Sequence, residues 1–301
     1  MPYWIEFNLF VLVMLALDLS VFHRKAHEVR FREAAGWSVF WIVLSLLFNV
    51  GIYVWMGKVR ALEFLACYLV EKSLSVDNLF IFFILFHTFH VKAQYQHKIL
   101  FWGILGALIM RGLFIAAGIS LLHRFHWMIY VFGAILLLTG IKMALRKPEE
   151  ETDPAANIAL NFIKRHLPVS DHQDHDHFFT RIKGRWMATP LFVVLLTIEF
   201  TDVVFALDSI PAVLAFSTHS FIVYTSNVFA ILGMRALYFA IAQIVPKLHY
   251  LHYGLSAIIV VVGVKMILSN VIHIPIGVSL GVTVGILVLT TAASLLRKPA
   301  S

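Results

Sequence analysis

The chain is poor in cysteine and in charged residues. Its one cysteine, Cys67, excludes an intramolecular disulfide and any CxxC metal or redox motif. Charged residues make up 14% of the 301 residues, whereas a soluble domain has about a quarter. The sequence also lacks a glycine-rich phosphate-binding loop ending in Gly-Lys-Ser or Gly-Lys-Thr. Direct use of ATP is therefore not expected.

Long apolar runs are what the chain has instead, and hydrophobic residues account for 60% of it. Such runs predict an all-α, polytopic membrane protein that forms a single transmembrane domain over residues 1–301. One long polar stretch, residues 146–186, interrupts them. About nine spans are predicted, at residues 7–22, 37–56, 62–87, 99–121, 127–145, 188–216, 221–244, 252–269 and 276–296.

The basic residues predict how these spans are oriented. If the N-terminus lies outside, sixteen lysines and arginines fall in cytoplasmic segments, and only Lys58, Arg60 and Arg124 fall outside. This positive-inside bias places the C-terminus and the 146–186 loop in the cytoplasm. The net charge of +7 then reflects membrane topology, and nucleic acid is not expected as a partner.

Two parts of the chain repeat each other. Glu71 to Phe80, EKSLSVDNLF, matches Asp202 to Pro211, DVVFALDSIP, and MRGLFIA and GIKMAL later match MRALYFA and GVKMIL. The repeats cover about 62–145 and 188–269, and helices 7–22, 37–56 and 276–296 flank them. Because the two repeats enter the membrane in opposite directions, they predict the inverted plan of secondary transporters, with a site where the repeats meet.

Carboxylates inside the predicted spans are the candidate functional residues, because acids in a bilayer usually mark a pathway. Pro211 is expected to break the helix near Asp208 and to free backbone carbonyls beside the acids. An all-oxygen ligand set suits hard cations such as Mn²⁺, Mg²⁺ or Ca²⁺. The predicted metal ligands are Glu71, Asp77, Asn78, Glu199, Asp202, Asp208 and Ser209, with Ser75 and Thr201 as further oxygens.

Simpler roles are open for several of these residues. The acids could be ion-pair partners of Arg111 and Arg235, for which a role as neutralising struts is expected. Asp18 could be a ligand or a structural residue. In the 146–186 loop, His172, His175 and His177 alternate with aspartates, a composition able to bind metal weakly. A solvated polar loop is the expectation there.

Several motifs resemble the TerC/Alx family of bacterial inner-membrane proteins, close to its Alx-type branch. They are EKSLSVDNLFIFF, EFTDVVFALDSIPAVLAF, SNVFAILGMRALYF, YGLSAIIVVVGVKM and HIPIGVSLGVTVGILV. The resemblance covers nearly the whole chain. It implies efflux of Mn²⁺ as the transported ion across the bacterial inner membrane. It also carries the family's acidic residues over to Glu71, Asp77, Glu199, Asp202 and Asp208.

Three classes of function are compatible with the sequence. The favoured one is a secondary transporter that exports divalent manganese, because a carboxylate cage binds metal when ionised and releases it when protonated. The alternative is a membrane scaffold that aids insertion or metal loading of other proteins. An intramembrane hydrolase with paired aspartates ranks last, so the protein is not expected to be an enzyme. The expected partners are the metal ion, the lipid bilayer and either other membrane proteins or a second copy of the chain.

Reporter fusions test the predicted orientation. Because the basic residues place both sites inside, fusions at Ser301 and near Asp171 should give cytoplasmic signals. A fusion near Arg124, on the predicted outer side, serves as the control of opposite sign. A periplasmic signal from Ser301 or Asp171 would overturn the opposed orientation of the two repeats.

Overall fold

Ten helices and one short hairpin make up the described part of the chain. The computed structural model describes residues 2–22, 31–89, 91–145, 163, 165, 167–170, 177–182, 185–241, 250–269, 271–272 and 274–296. The helices are α1 Pro2–Phe22, α2 Phe31–Met56, α3 Lys58–Thr88, α4 Ala93–Arg124, α5 Met128–Leu145, α6 Pro190–Leu214, α7 Ser220–Ile231, α8 Met234–Ile241, α9 Leu251–Ile267 and α10 Ile276–Leu296. Strands β1 Phe179–Ile182 and β2 Arg185–Ala188 pair antiparallel. The predicted class, an all-α polytopic membrane protein, is confirmed.

Among the described residues, fewer helices meet the length and hydropathy of a membrane span than the nine that the apolar runs predict. Within the described ranges, α2, α4, α5, α6 and α10 are long and apolar enough to cross a membrane. A sixth span results if α7 and α8 are counted together. The nine-span topology stays a prediction, and the β1–β2 hairpin at the end of the polar loop was not predicted.

The predicted break at Pro211 is wrong. Helix α6 continues through Pro211 and ends at Leu214, and the Pro211 carbonyl accepts a hydrogen bond from the Ala215 N–H (3.1 Å). Proline costs a helix one hydrogen bond, but residues 209–214 are all buried. Their packing on both sides holds the helical path, and the missing bond is tolerated close to the helix end.

A different helix is broken instead. The predicted span 221–244 consists of α7 and α8, which are bent by 43° at Leu232 and Gly233. Gly233 has a φ of 81°, a left-handed conformation that glycine adopts without steric cost. The Trp41 ring of α2 also packs so closely on Gly233 that a Cβ there would lie 2.6 Å from Trp41 Cδ1. Both the left-handed backbone and the lack of space for a Cβ therefore require glycine at position 233.

Helices of the two predicted repeats pack in a reciprocal pattern. The first helix of each repeat contacts the second helix of the other, α3 with α7 and α6 with α4. The third helices, α5 and α9, pack against each other. The first helices also touch, since Cys67 Sγ of α3 lies 3.6 Å from the Val213 carbonyl of α6. Both repeats therefore contribute helices to the centre of the molecule.

The contact between α5 and α9 is antiparallel and is made by small residues. Gly133 faces Gly263, and Gly140 faces the Ser256 carbonyl. The sequence repeat aligns Gly140 with Gly263 and Gly133 with Ser256, so each contact is the exchanged copy of the other. A two-fold relation between the halves would produce such an exchange. Opposite membrane orientation of the halves stays a prediction.

Alanine substitution tests the close approach of α5 and α9. A Cβ on Gly140 would lie 2.7 Å from Val260 Cγ2 and 3.0 Å from the Ser256 carbonyl oxygen. Overpacking of this kind costs about 1–3 kcal/mol, so Gly140→Ala should lower the melting temperature of the detergent-purified protein. Gly281→Ala on α10 is the control, because nothing lies within 4 Å of its Cβ position. It should gain about 0.5–1 kcal/mol from helix propensity. Equal shifts in the two variants would contradict the packing argument.

Candidate functional site

A buried ion pair lies at the centre of the bundle. Glu71 of α3 is fully buried and Arg111 of α4 is 3% exposed. The Arg111 Nη1 donates to Glu71 Oε1 in a close salt bridge. Removing two charges from solvent costs several kcal/mol per ion unless they are paired and hydrogen-bonded. The pairing therefore explains how both charged groups can be buried here, and it is the contact expected of an arginine that neutralises a buried acid.

Asn227 of α7 joins both members of this pair. Its Nδ2 donates to Glu71 Oε2 (3.0 Å), and its Oδ1 accepts from Arg111 Nη1 (3.4 Å). The Asn227 side chain is itself buried. The repeat containing α3 and α4 thus meets the other repeat through one amide group, which contacts both a carboxylate and a guanidinium.

Two further carboxylates come from α6. Asp202 is 6% exposed and interacts electrostatically with Arg111, and within the described ranges its Oδ1 has no hydrogen-bond partner. Glu199 lies one turn earlier, is half-buried and interacts electrostatically with Asp202. Its carboxylate lies against Gly106 of α4, at a position that any Cβ on residue 106 would occupy. Gly106 therefore makes the room for this acid.

Asp208 lies in a separate environment. Its Oδ1 accepts a hydrogen bond from the Thr139 hydroxyl of α5 (2.9 Å), and it interacts electrostatically with Lys142. Six residues correspond to about 240° around a helix, so Asp202 and Asp208 on a continuous α6 face different neighbours. The structure brings Glu71 and Asp202 to the same arginine and directs Asp208 to α5.

Uncharged polar groups line the same region. Ser75 and Asn78 follow Glu71 on one face of α3, and Ser209 lies on α6; all three are buried. In the part of the chain that the structure describes, the Ser75 and Ser209 hydroxyls and Asn78 Nδ2 have no hydrogen-bond partner. Buried polar atoms usually have one, so these groups are available to a further ligand or to water. The Thr201 hydroxyl already donates its proton to the Thr197 and Ile198 carbonyls, so only its oxygen lone pairs remain available.

Some predicted residues fall outside the description. The side chains of Asp18 and Asp77 are not among the described ones, and neither are His172 and His175. His177 is described, is exposed, and its carbonyl accepts from the Thr189 hydroxyl. Over the described residues, no group of three or more His, Cys, Asp or Glu side chains could hold a metal ion. The seven-residue ligand set therefore stays a prediction.

Two polar residues of this region, Asn227 and Glu63, are not among the predicted ones. Asn227 was not singled out, although an asparagine inside an apolar helix is itself a signal. Glu63 also lies within the predicted span 62–87, and its Oε2 accepts from the Ser217 hydroxyl (2.6 Å) and from Arg60 Nη1 (2.7 Å). Glu63, Cys67 and Glu71 are four residues apart, which places them on one face of α3. This spacing could have identified Glu63.

Comparisons with known proteins agree on one family. The model of the family described as "Integral membrane protein TerC family" matches residues 56–301. A Myxococcus xanthus protein named "Uncharacterized membrane protein STKORF319" is 48% identical over 98% of this chain and 92% of its own length. Proteins named "Putative membrane-bound redox modulator Alx" from Salmonella typhi and Escherichia coli K12 are each 45% identical over 95% of this chain and 92% of their own. No solved structure matches the chain.

A double-mutant cycle tests the buried pair. Removing one partner of a buried ion pair leaves the other charge unpaired and costs about 3–5 kcal/mol, so Glu71→Gln and Arg111→Gln should each strongly destabilise the purified protein. The double variant has no unpaired charge and should be less destabilised than the sum of the two singles. The readout is the free energy of unfolding in detergent. Arg124→Gln, at the exposed end of the same helix, is the control and should be near neutral. Strict additivity of the singles would show that the pair is not coupled.

Proposed function

The chain belongs to the TerC family of integral membrane proteins, and from this premise we propose that it is a secondary transporter exporting divalent manganese from the cytoplasm. In this proposal the ion binds between the two repeats. Its central ligands are Glu71 of α3 and Asp202 of α6. Glu199, Asp77 and the neighbouring polar groups of both helices complete the oxygen-rich surroundings, and Asp208 contributes from the side of α5.

The charge balance around Arg111 carries the proposal. Glu71, Asp202 and Glu199 are linked to this one guanidinium directly or through each other. When all three are ionised, the group has two negative charges in excess, which equals the charge of one divalent cation. An unneutralised charge is costly in the interior of a membrane protein. A divalent ion, or protons in its place, relieves the excess.

The type of ion follows from the ligand atoms. Carboxylate, amide and hydroxyl oxygens favour hard cations. The seven predicted ligands include no histidine or thiol that would favour zinc or copper. Manganese is chosen among the hard cations because of the family resemblance. The name of the Alx relatives refers to redox modulation; with Cys67 as its one cysteine, this chain cannot form a dithiol pair of its own.

Proton exchange offers the coupling route. Carboxylates must lose their protons to ligate a metal, so metal binding and proton release are linked at the same oxygens. Export in exchange for protons requires that Glu71, Asp202 and Glu199 bind the metal from the cytoplasmic side and release it to the outer side. There they take up protons, which they release to the cytoplasm before they bind the next ion. Helices α3 and α6 belong to opposite repeats. Where they meet, the same carboxylates can be reached in turn from each side of the membrane.

Transport by the purified protein tests the proposal. Proteoliposomes containing the wild-type chain should take up or release Mn²⁺, and Glu71→Gln and Asp202→Asn should each reduce flux. Each variant should also bind Mn²⁺ at least about tenfold more weakly, because loss of 1.4 kcal/mol is already tenfold. The matched control is Glu6→Gln, the same substitution at an exposed position on α1.

Two outcomes would contradict the proposal. Wild-type Mn²⁺ affinity in both Glu71→Gln and Asp202→Asn would remove these acids from the ion site. Absence of Mn²⁺ flux and Mn²⁺ binding in the folded wild-type protein, together with co-purification of intact membrane-protein complexes, would favour the scaffold alternative.

A further inference from the structure

Arg111 and the proposed transported ion would use the same carboxylate, that of Glu71. The Arg111 guanidinium already occupies this carboxylate. Arginine stays protonated at any physiological pH, so it cannot leave this carboxylate by losing its proton. The guanidinium and a divalent ion therefore compete for Glu71, and only movement of the side chain can make room.

A second carboxylate is available to the same guanidinium. Asp202 interacts electrostatically with Arg111, and in the described structure its Oδ1 accepts no hydrogen bond. Arg111 comes from α4, whereas Glu71 and Asp202 come from α3 and α6. Arg111 is thus in direct contact with a carboxylate of its own repeat and interacts electrostatically with a carboxylate of the other repeat.

Asn227 makes a change of partner feasible. Its amide contacts the carboxylate through Nδ2 and the guanidinium through Oδ1, so it satisfies both groups in the observed arrangement. If Arg111 moves away, Nδ2 can remain on Glu71 Oε2, and the carboxylate keeps one buried donor. An unsatisfied buried polar group costs about as much as a lost hydrogen bond, and the amide lowers that cost.

We propose that Arg111 is a tethered counter-cation that occupies Glu71 when no ion is bound and is displaced when the ion binds. This inference rests on the proposed transport function and assigns Arg111 a positioning role within it. In the empty site Arg111 neutralises Glu71, and protons on Asp202 and Glu199 balance the remaining charge. The ion-free carrier is thereby stabilised, and apparent ion affinity is lowered by the competition.

Removal of the guanidinium should therefore tighten metal binding. If Arg111 occupies Glu71 in nine of ten ion-free molecules, Arg111→Gln should bind Mn²⁺ about tenfold more tightly than wild type. Release should slow accordingly, so Mn²⁺ flux falls while affinity rises. Arg111→Lys retains a tethered cation and should stay closer to wild type in affinity. Arg124→Gln, the same substitution at the exposed end of α4, should change neither affinity nor flux.

A charge-balanced variant covers the case in which Arg111→Gln does not fold. In Glu71→Gln, Arg111 is released from residue 71 and remains free to occupy Asp202. Glu71→Gln combined with Arg111→Gln leaves Asp202 without a competitor, so the double variant should bind Mn²⁺ more tightly than Glu71→Gln alone. Calorimetric titration with Mn²⁺ and the Mn²⁺-induced rise in melting temperature both report this difference.

The possible results distinguish failure of the inference about Arg111 from failure of the proposed transport function. If wild-type protein binds Mn²⁺ but Arg111→Gln binds no more tightly, and the double variant is no better than Glu71→Gln, Arg111 is not a competitor. The transport proposal would survive that result. If folded wild-type protein binds no Mn²⁺ and transports none, the proposed function is wrong, and the inference is overturned with it.

Discussion

The buried contact between Glu71 and Arg111 constrains the whole bundle. A lone charge at this depth would cost several kcal/mol, so α3 and α4 cannot separate here without a replacement partner for each group. Asn227 extends the same constraint to α7, and Asp202 extends it to α6. Polar contacts therefore join α3, α4 and α7, helices of both repeats, and Asp202 adds an electrostatic interaction from α6.

The two aspartates of α6 lie in different surroundings because the helix is continuous. Because the helix is continuous through Pro211, the six-residue spacing fixes Asp202 toward α4 and Asp208 toward α5. Asp202 lies beside a permanent cation and is nearly inaccessible. Asp208 accepts from a threonine hydroxyl and is near Lys142, a residue at the exposed end of α5. Two acids in one short motif thus have different charge environments.

Much of this arrangement could be predicted from the sequence, and the exceptions have physical causes. Apolar runs predicted the helices, and intramembrane acids predicted the polar centre, because both depend on composition along one chain. The break at Gly233 depends on Trp41, about 190 residues earlier in the sequence, and the continuity at Pro211 depends on burial by other helices. Asn227 could have been identified as a polar residue in an apolar helix, but its partners Glu71 and Arg111 depend on the rotation of α7 against α3, which no local pattern encodes.

The two repeats meet through two kinds of contact that differ in how they tolerate change. Between α5 and α9, Gly133, Gly140 and Gly263 bring backbone against backbone, so even one added methyl group overlaps the opposite helix. Such close packing has one satisfactory geometry. At the polar centre, Arg111 pairs with Glu71 of its own repeat and also interacts electrostatically with Asp202 of the other repeat. The two repeats are thus joined by a close backbone contact between small residues and by a polar contact between charged groups, and these two contacts lie on different helices.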